Sequence, residues 1–146
     1  MTRDALLQFM RSEKYAVQTT ISPGGRPQAA VVGIAISDGF EIVFDTLASS
    51  RKASNLRANP AVALVIGGTR DGDERTVQYE GTADEPGGVE LERLLAIYYE
   101  RFPDGPTRRL WPGLIYVRVK PTWIRYTDFN AQSPEMVEFD VRTWAL

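Results

Sequence analysis

Histidine and cysteine are both absent from the 146-residue sequence. Without them the chain has no disulfide bonds, no thiol redox centre and no Ser-His or Cys-His catalytic pair. The usual zinc and heme ligand sets, which contain histidine or cysteine, cannot form either. The acidic residues show no EF-hand-like spacing that would favour a hard metal ion in their place. We therefore expect any demanding chemistry to rely on an organic cofactor.

Long apolar segments and a strong net charge are also lacking. No apolar run approaches the roughly 18 residues of a membrane-spanning helix, and residues 1–9 contain no run of signal-peptide length. The 17 basic and 19 acidic residues leave a net charge of -2. Such a balance provides no field that would attract nucleic acid or an anionic membrane. We expect a cytoplasmic protein with neither as a partner.

Hydrophobic periodicity and turn residues divide the chain into short strands and a few helices. Helical patterns cover residues 1–12, 49–59 and 87–102, and the tail, 129–146, is expected to be irregular. Turn residues between successive strands predict hairpins, which favour an antiparallel barrel or sandwich. The fold class is thus mainly β (α+β), one domain over residues 1–146, with about six or seven strands and two to three helices. The predicted strands are 15–21, 28–36, 40–45, 61–66, 75–84, 113–119 and 123–126. The almost continuously apolar strand 28–36 is expected to be central and buried on both faces.

A chemically informative segment runs from Thr46 to Lys52, between a predicted strand and a predicted helix. The free N–H groups at a helix start, the hydroxyls of Thr46 and Ser50, and the cations Arg51 and Lys52 together suit a terminal phosphate. The alternative is an ordinary N-cap, Ser50, followed by two solvated cations. The segment alone does not separate these readings.

The ordered motifs around this segment resemble the pyridoxamine 5'-phosphate oxidase-like, FMN-binding split-barrel family. The resemblance rests on Ser50-Arg51-Lys52 after one strand, on residues 55–60 before the next, and on residues 75–81 further along. It covers about residues 15–126 and implies an antiparallel split β-barrel that binds FMN. By this resemblance, residues 30–33 lie beside the isoalloxazine ring, residues 46–52 hold the phosphate, and a contact comes from the strand at 76–78. The implied cofactor-binding residues are Ala30, Val31, Val32, Gly33, Thr46, Ser50, Arg51, Lys52, Thr76 and Gln78.

Two departures from the family bear on the substrate. Residues 28–45 contain no Arg or Lys, and a histidine-containing substrate motif is impossible in this chain. Vitamin B6 oxidation is therefore not expected. A separate hypothesis places Arg101, Arg108 and Arg109 around a pocket for an acidic or aromatic compound, the alternative being a solvated loop.

The resemblance implies a flavin-dependent oxidoreductase that exchanges a hydride or electrons with a reduced nicotinamide or a small organic substrate. No side chain is assigned as catalytic, since the flavin supplies the chemistry. A homodimer with shared cofactor clefts is expected, because the apolar strands offer more surface than one small core readily hides. Two alternatives remain: a deazaflavin-dependent reductase of the same fold, and a non-catalytic flavin-binding module.

Overall fold

Four helices and eight strands make up the computed structural model, which describes residues 1–130 and 132–144. The helices are α1 (Arg3–Ser12), α2 (Arg51–Ala58), α3 (Gly88–Arg101) and the short α4 (Gly105–Arg108). A 3₁₀ helix, Val141–Thr143, follows the last strand. The strands are β1 (Tyr15–Ile21), β2 (Pro27–Gly33), β3 (Ala35–Ile36), β4 (Ile42–Leu47), β5 (Ala61–Gly67), β6 (Arg75–Asp84), β7 (Leu114–Asp128) and β8 (Glu135–Phe139).

One antiparallel sheet contains all the strands, in the order β2-β1-β5-β6-β7-β4-β3, with β8 also paired to β7. Its two end strands, β2 and β3, are consecutive in the chain and separated by Ile34 alone. The backbone therefore links the two ends of the strand order, and the sheet curls into a barrel. The predicted antiparallel split barrel is confirmed.

Alternating side chains of the strands fill the barrel interior, as a sheet with one buried face requires. Phe44, Leu64 and Tyr79 are at most 2% exposed there. A second apolar cluster lies between α3 and the strands β3 and β4, and includes Val43 and Tyr98. Helix α1 begins at the N-cap Thr2, whose hydroxyl accepts a hydrogen bond from Ala5 N at 3.1 Å. Its buried face joins the barrel core.

The eight strands exceed the predicted six or seven because residues 28–36 divide into β2 and β3 at Ile34 and because β8 forms in the tail. The joining of two predicted strands across Pro121 lowers the count by one. Residues 113–119 and 123–126 were expected to be separate strands, but both belong to β7. Gly81 of β6 pairs with Pro121 next to a register shift, whereas β4 pairs only as far as Val119 and β8 begins pairing at Ile124. Pro121 thus lacks a ladder partner on its other side, which is where a strand tolerates a residue without an N–H.

Strand β2 differs from the expectation that both of its faces are buried. Among the described strands it pairs with β1 alone, so it is an edge strand. Val31 is 66% exposed, whereas its neighbour Val32 is 6% exposed. The continuous apolar sequence predicted a central strand because such runs are typical of doubly buried strands.

The C-terminal segment is more regular than the predicted irregular tail 129–146. It contains β8 and the 3₁₀ helix, and Trp144 packs on Phe40 with ring centroids 4.5 Å apart. Residues 131, 145 and 146 lie outside the described residues. In the described part of the chain, no helix combines the length and apolarity needed to cross a membrane.

Candidate cofactor-binding site

The loop between β4 and α2 brings together two of the predicted phosphate-binding hydroxyls. Thr46 Oγ1 and Ser50 Oγ lie 3.0 Å apart within hydrogen-bonding distance. Ser50 is the N-cap of α2, and its Oγ accepts a hydrogen bond from Ala53 N at 3.2 Å. The two hydroxyls therefore stabilise the turn from strand to helix. The first backbone N–H groups of α2 have no intrahelical acceptor and lie at the N-terminus of the helix.

Two cations occupy the first turn of α2. Arg51 is exposed and Lys52 is half-buried. In residues 1–130 and 132–144, neither side chain forms an ion pair within 4.0 Å, and the first turn of α2 holds no acidic residue. Positive side chains at the positive end of a helix dipole are unfavourable. The arrangement is the reverse of what helix stability favours, and it suits an anion.

Helix α2 is attached to the beginning of β2 through Asn55. The buried Asn55 Nδ2 donates to Gln28 Oε1 at 2.9 Å and to Thr20 Oγ1 at 3.0 Å. These bonds hold the phosphate-binding candidates of α2 beside the strand that carries residues 30–33. The family resemblance included Asn55 in the motif 55–60 but gave it no role, although an asparagine inside a short helix is itself a signal because its helix propensity is low.

Residues 30–33 of β2 do not share one environment. Val31 points outwards, Ala30 and Gly33 are half-buried, and Val32 belongs to the barrel core. A Cβ added to Gly33 would lie 2.6 Å from the ring of Phe102, so that ring covers the glycine. The free edge of β2 still offers backbone N–H and C=O groups that could meet the polar edge of a ring.

Thr76 and Gln78 lie on the outer face of β6. Thr76 Oγ1 is 2.6 Å from Thr127 Oγ1, and Gln78 is exposed opposite Val65. Strands β1 and β5 separate β6 from β2 in the sheet. Three strand spacings amount to roughly 14 Å, so one chain does not bring these residues against residues 30–33.

A polar cluster lies beside Thr46, and it includes Asp45, to which the sequence analysis gave no role. Arg108 Nε donates to Asp45 Oδ2 at 3.0 Å, and Arg108 Nη2 donates to the Tyr98 hydroxyl at 3.3 Å. Burial, followed by the negative charge of Asp45, raises the pKa of Tyr98 to about 12. The ion pair anchors α4 to the strand that leads into the candidate phosphate loop.

The hypothesised pocket of Arg101, Arg108 and Arg109 is not formed. Arg108 is paired with Asp45 and Asp104, and Arg109 Nη2 lies 2.7 Å from Glu92 Oε1. Arg101 instead lines a cavity beside α1. Two of the three cations are thus neutralised by carboxylates of the same chain.

The sequence profile described as pyridoxamine 5'-phosphate oxidase matches residues 2–128. The chain belongs to this family. Its predicted membership is therefore confirmed. A search of curated proteins returned no match.

Solved structures of several relatives share the fold. A conserved hypothetical protein from Mycobacterium tuberculosis is 27% identical, with a TM-score of 0.75 over 94% of this chain and 91% of that one. A heme binding protein from Mycobacterium smegmatis is 14% identical, with a TM-score of 0.82 over 97% of this chain; the match spans 59% of the longer protein. A pyridoxamine 5'-phosphate oxidase-related, FMN binding protein from Nostoc punctiforme is 14% identical, with a TM-score of 0.69 over 94% of this chain and 87% of that one.

Proposed function

We propose that this family member binds FMN at the start of α2 and acts as a flavin-dependent oxidoreductase. The observation that carries the proposal is the pair of cations, Arg51 and Lys52, at the positive end of a helix. In the described part of the chain they have no acidic partner. A phosphate would neutralise both cations and accept hydrogen bonds from the helix N–H groups.

The side chains around this point fit a phosphate monoester. Thr46 and Ser50 supply hydroxyls, Arg51 a planar fork and Lys52 a compact charge. Exposed Val31 and the free edge of β2 supply an apolar contact and backbone polar groups for a flat ring. Bound FMN would supply the electron- or hydride-transfer chemistry. The chain itself would bind the cofactor and orient it, and no side chain is needed as an acid or base.

Heme is a second candidate, because one structural relative is a heme binding protein and another is a heme storage protein from Vibrio cholerae. The sequence contains no histidine or cysteine. Ordinary heme ligation would therefore fall to a residue such as tyrosine. The residues present fit a phosphate-bearing flavin better. A deazaflavin coenzyme would meet the same phosphate site and remains the alternative cofactor.

We further propose a homodimer whose two chains share each cofactor cleft. Val17, Val31 and Val65 are 39%, 66% and 45% exposed, and Val17 lies opposite both of the others in the sheet. This row, which we call the valine row, continues to Gln78. Burial of the valine row by a second copy would bring β6 of one chain towards β2 of the other, which would unite the separated candidate residues.

The proposal is tested by FMN binding to the purified chain and to the Arg51→Ala/Lys52→Ala double variant, measured by fluorescence titration. We expect affinity to fall by about 3 kcal/mol or more, since each hydrogen bond to a charged group contributes about 1.5–3 kcal/mol. Thermal stability should not fall, because removing cations from a helix N-terminus relieves repulsion with the dipole. Addition of a reduced nicotinamide to the FMN-loaded protein should bleach the flavin absorbance.

The matched control is Arg57→Ala, which removes a cation at the other end of α2. Arg57 is paired with Glu85 at 2.9 Å, so its loss should lower stability slightly and leave FMN affinity unchanged. If the double variant binds FMN as tightly as the wild-type chain, the segment is an ordinary N-cap followed by two solvated cations. If the wild-type chain does not bind FMN but binds heme or a deazaflavin, that compound would replace FMN as the proposed cofactor.

A further inference from the structure

A cavity of about 710 Å³ lies between the end of α1, residues 34–39 and one side of α3. Small-molecule sites typically enclose roughly 300–1,000 Å³. Ile34, Ile36 and Ile97 give it apolar walls. The phosphate-binding candidates Thr46 to Lys52 do not line it. The cavity is thus distinct from the proposed FMN phosphate site.

The three arginines that line the cavity differ in how they are satisfied. Arg11 donates to Ile36 O from Nε and Nη2, at 3.0 and 2.9 Å, and pairs with Asp38. Arg93 pairs with Glu41 and Glu90. In contrast, Arg101 has no ion pair in residues 1–130 and 132–144, and its Nε is buried without a hydrogen-bond acceptor.

A buried guanidinium N–H without an acceptor is rare and unfavourable in a folded protein. Among residues 1–130 and 132–144, the side chain of Arg101 therefore has neither an acceptor for Nε nor a counter-charge. The planar fork of arginine matches the two oxygens of a carboxylate. A carboxylate in the cavity would supply the counter-charge to the guanidinium group, although Nε itself is closed to solvent.

The remaining charges of the cavity limit how many anionic groups a ligand can carry. Glu13, Asp38 and Glu100 also line the cavity, and they match its three arginines in number. A second negative charge on the ligand would meet these carboxylates in a partly enclosed space, where like charges repel strongly. A single carboxylate on an apolar body fits the charges and walls best.

We propose that this cavity binds a small monocarboxylate with an apolar body. Its carboxylate lies on Arg101, and its hydrocarbon or aromatic portion packs against Ile97 and the segment Ile34–Ile36. The inference does not rest on FMN binding, because the two sites use different residues.

The test is calorimetric titration of the full chain with phenylacetate, with neutral phenylacetamide and with the dicarboxylate phenylmalonate. Phenylacetate should bind at least about tenfold more tightly than either comparison compound, as expected for one charge-assisted hydrogen bond. Arg101→Gln should weaken phenylacetate binding by about tenfold or more and remove its preference over the amide. The matched control Arg26→Gln changes an exposed arginine of the β1–β2 turn and should leave binding unchanged.

Ile97→Glu provides a second variant, since it adds a negative charge to the apolar wall and should abolish phenylacetate binding while Arg101 is retained. No detectable binding of phenylacetate to the wild-type chain would overturn the proposal. So would equal affinity for the amide, tighter binding of phenylmalonate, or unchanged affinity in Arg101→Gln. A change of oligomeric state in Arg101→Gln would identify the cavity as an interface between copies of the chain instead.

Discussion

Tyr98 shows how its surroundings alter a single ionisable side chain. It is 1% exposed, belongs to the apolar cluster between α3 and the strands β3 and β4, and accepts a hydrogen bond from Arg108, which pairs with Asp45. Burial is the main reason that its pKa rises to about 12, and the charge of Asp45 adds to the rise. The neutral phenol is thus the form that the folded protein favours.

The raised pKa of Tyr98 makes the stability of the protein sensitive to alkaline pH. Since the pKa of Tyr98 in the folded protein exceeds the ordinary tyrosine value of about 10, its stabilisation is complete below pH 10 and is lost as pH rises towards about 12. The free energy of unfolding should therefore fall above roughly pH 10. The free energy of unfolding of the Tyr98→Phe variant should fall less steeply with pH, because phenylalanine has no proton to lose. Denaturant unfolding at a series of pH values measures the slopes.

The control for this prediction is Tyr15→Phe, since Tyr15 is 57% exposed. Its pH dependence should match that of the wild-type chain. Some alkaline loss should persist in Tyr98→Phe, because burial also raises the pKa values of Tyr79 and Tyr116. Identical slopes for Tyr98→Phe and the wild-type chain would contradict the assignment.

At the scale of elements, α2 depends on its attachments more than on its own helix propensity. Eight residues form too short a helix to be stable alone. Ser50 caps its start, and Asn55 joins it to β1 and β2. The position of the candidate phosphate site relative to β2 thus depends on the Asn55 side chain in the middle of the helix.

We predict that Asn55→Ala destabilises the protein by about 2–3 kcal/mol, because it leaves the buried Thr20 hydroxyl and the Gln28 amide without their partner. FMN affinity should also fall, although Asn55 is not proposed to touch the cofactor. Ser54→Ala, at the neighbouring exposed position of α2, is the control and should change neither quantity measurably. Thermal unfolding and FMN titration test both. A loss of stability with unchanged affinity would mean that α2 does not need this attachment to present its N-terminus.

The proposed dimer belongs to the scale of the whole molecule. Within one chain, Thr76 and Gln78 lie three strands away from residues 30–33 in the sheet. The exposed valine row runs between them on the outer face. A second copy packed on this face would account for both the apolar exposure and the separation.

We predict that Val31→Lys converts the dimer to a monomer and releases FMN, because a lysine in the valine row would place a charge without a partner in an apolar contact. The fold should persist, since Val31 is 66% exposed in the single chain. Light scattering and FMN retention after gel filtration measure the two effects. Val89→Lys is the matched control: Val89 is 86% exposed at the start of α3, outside the valine row. A wild-type monomer that retains FMN would exclude a shared cleft.

Local patterns in the sequence determined most of the helices and strands of this protein. Strands 15–21 and 75–84 match their predicted bounds, and α2 begins after the predicted N-cap Ser50. Period-two alternation, capping residues and turn residues act over a few neighbouring residues, so they can be read without a fold. The ordered motifs also identified the family, because the strand, loop and helix that carry Ser50-Arg51-Lys52 are contiguous in the chain.

Tertiary structure decided which residues meet. The apolar run 28–36 gave no sign that β2 lies at an edge, because burial depends on which strands pair. Pro121 lies inside β7 because neighbouring strands leave one side of it unpaired. Likewise, carboxylates distant in sequence neutralise Arg108 and Arg109 but not Arg101. Pairings of this kind join residues far apart in the chain, and local periodicity carries no information about them.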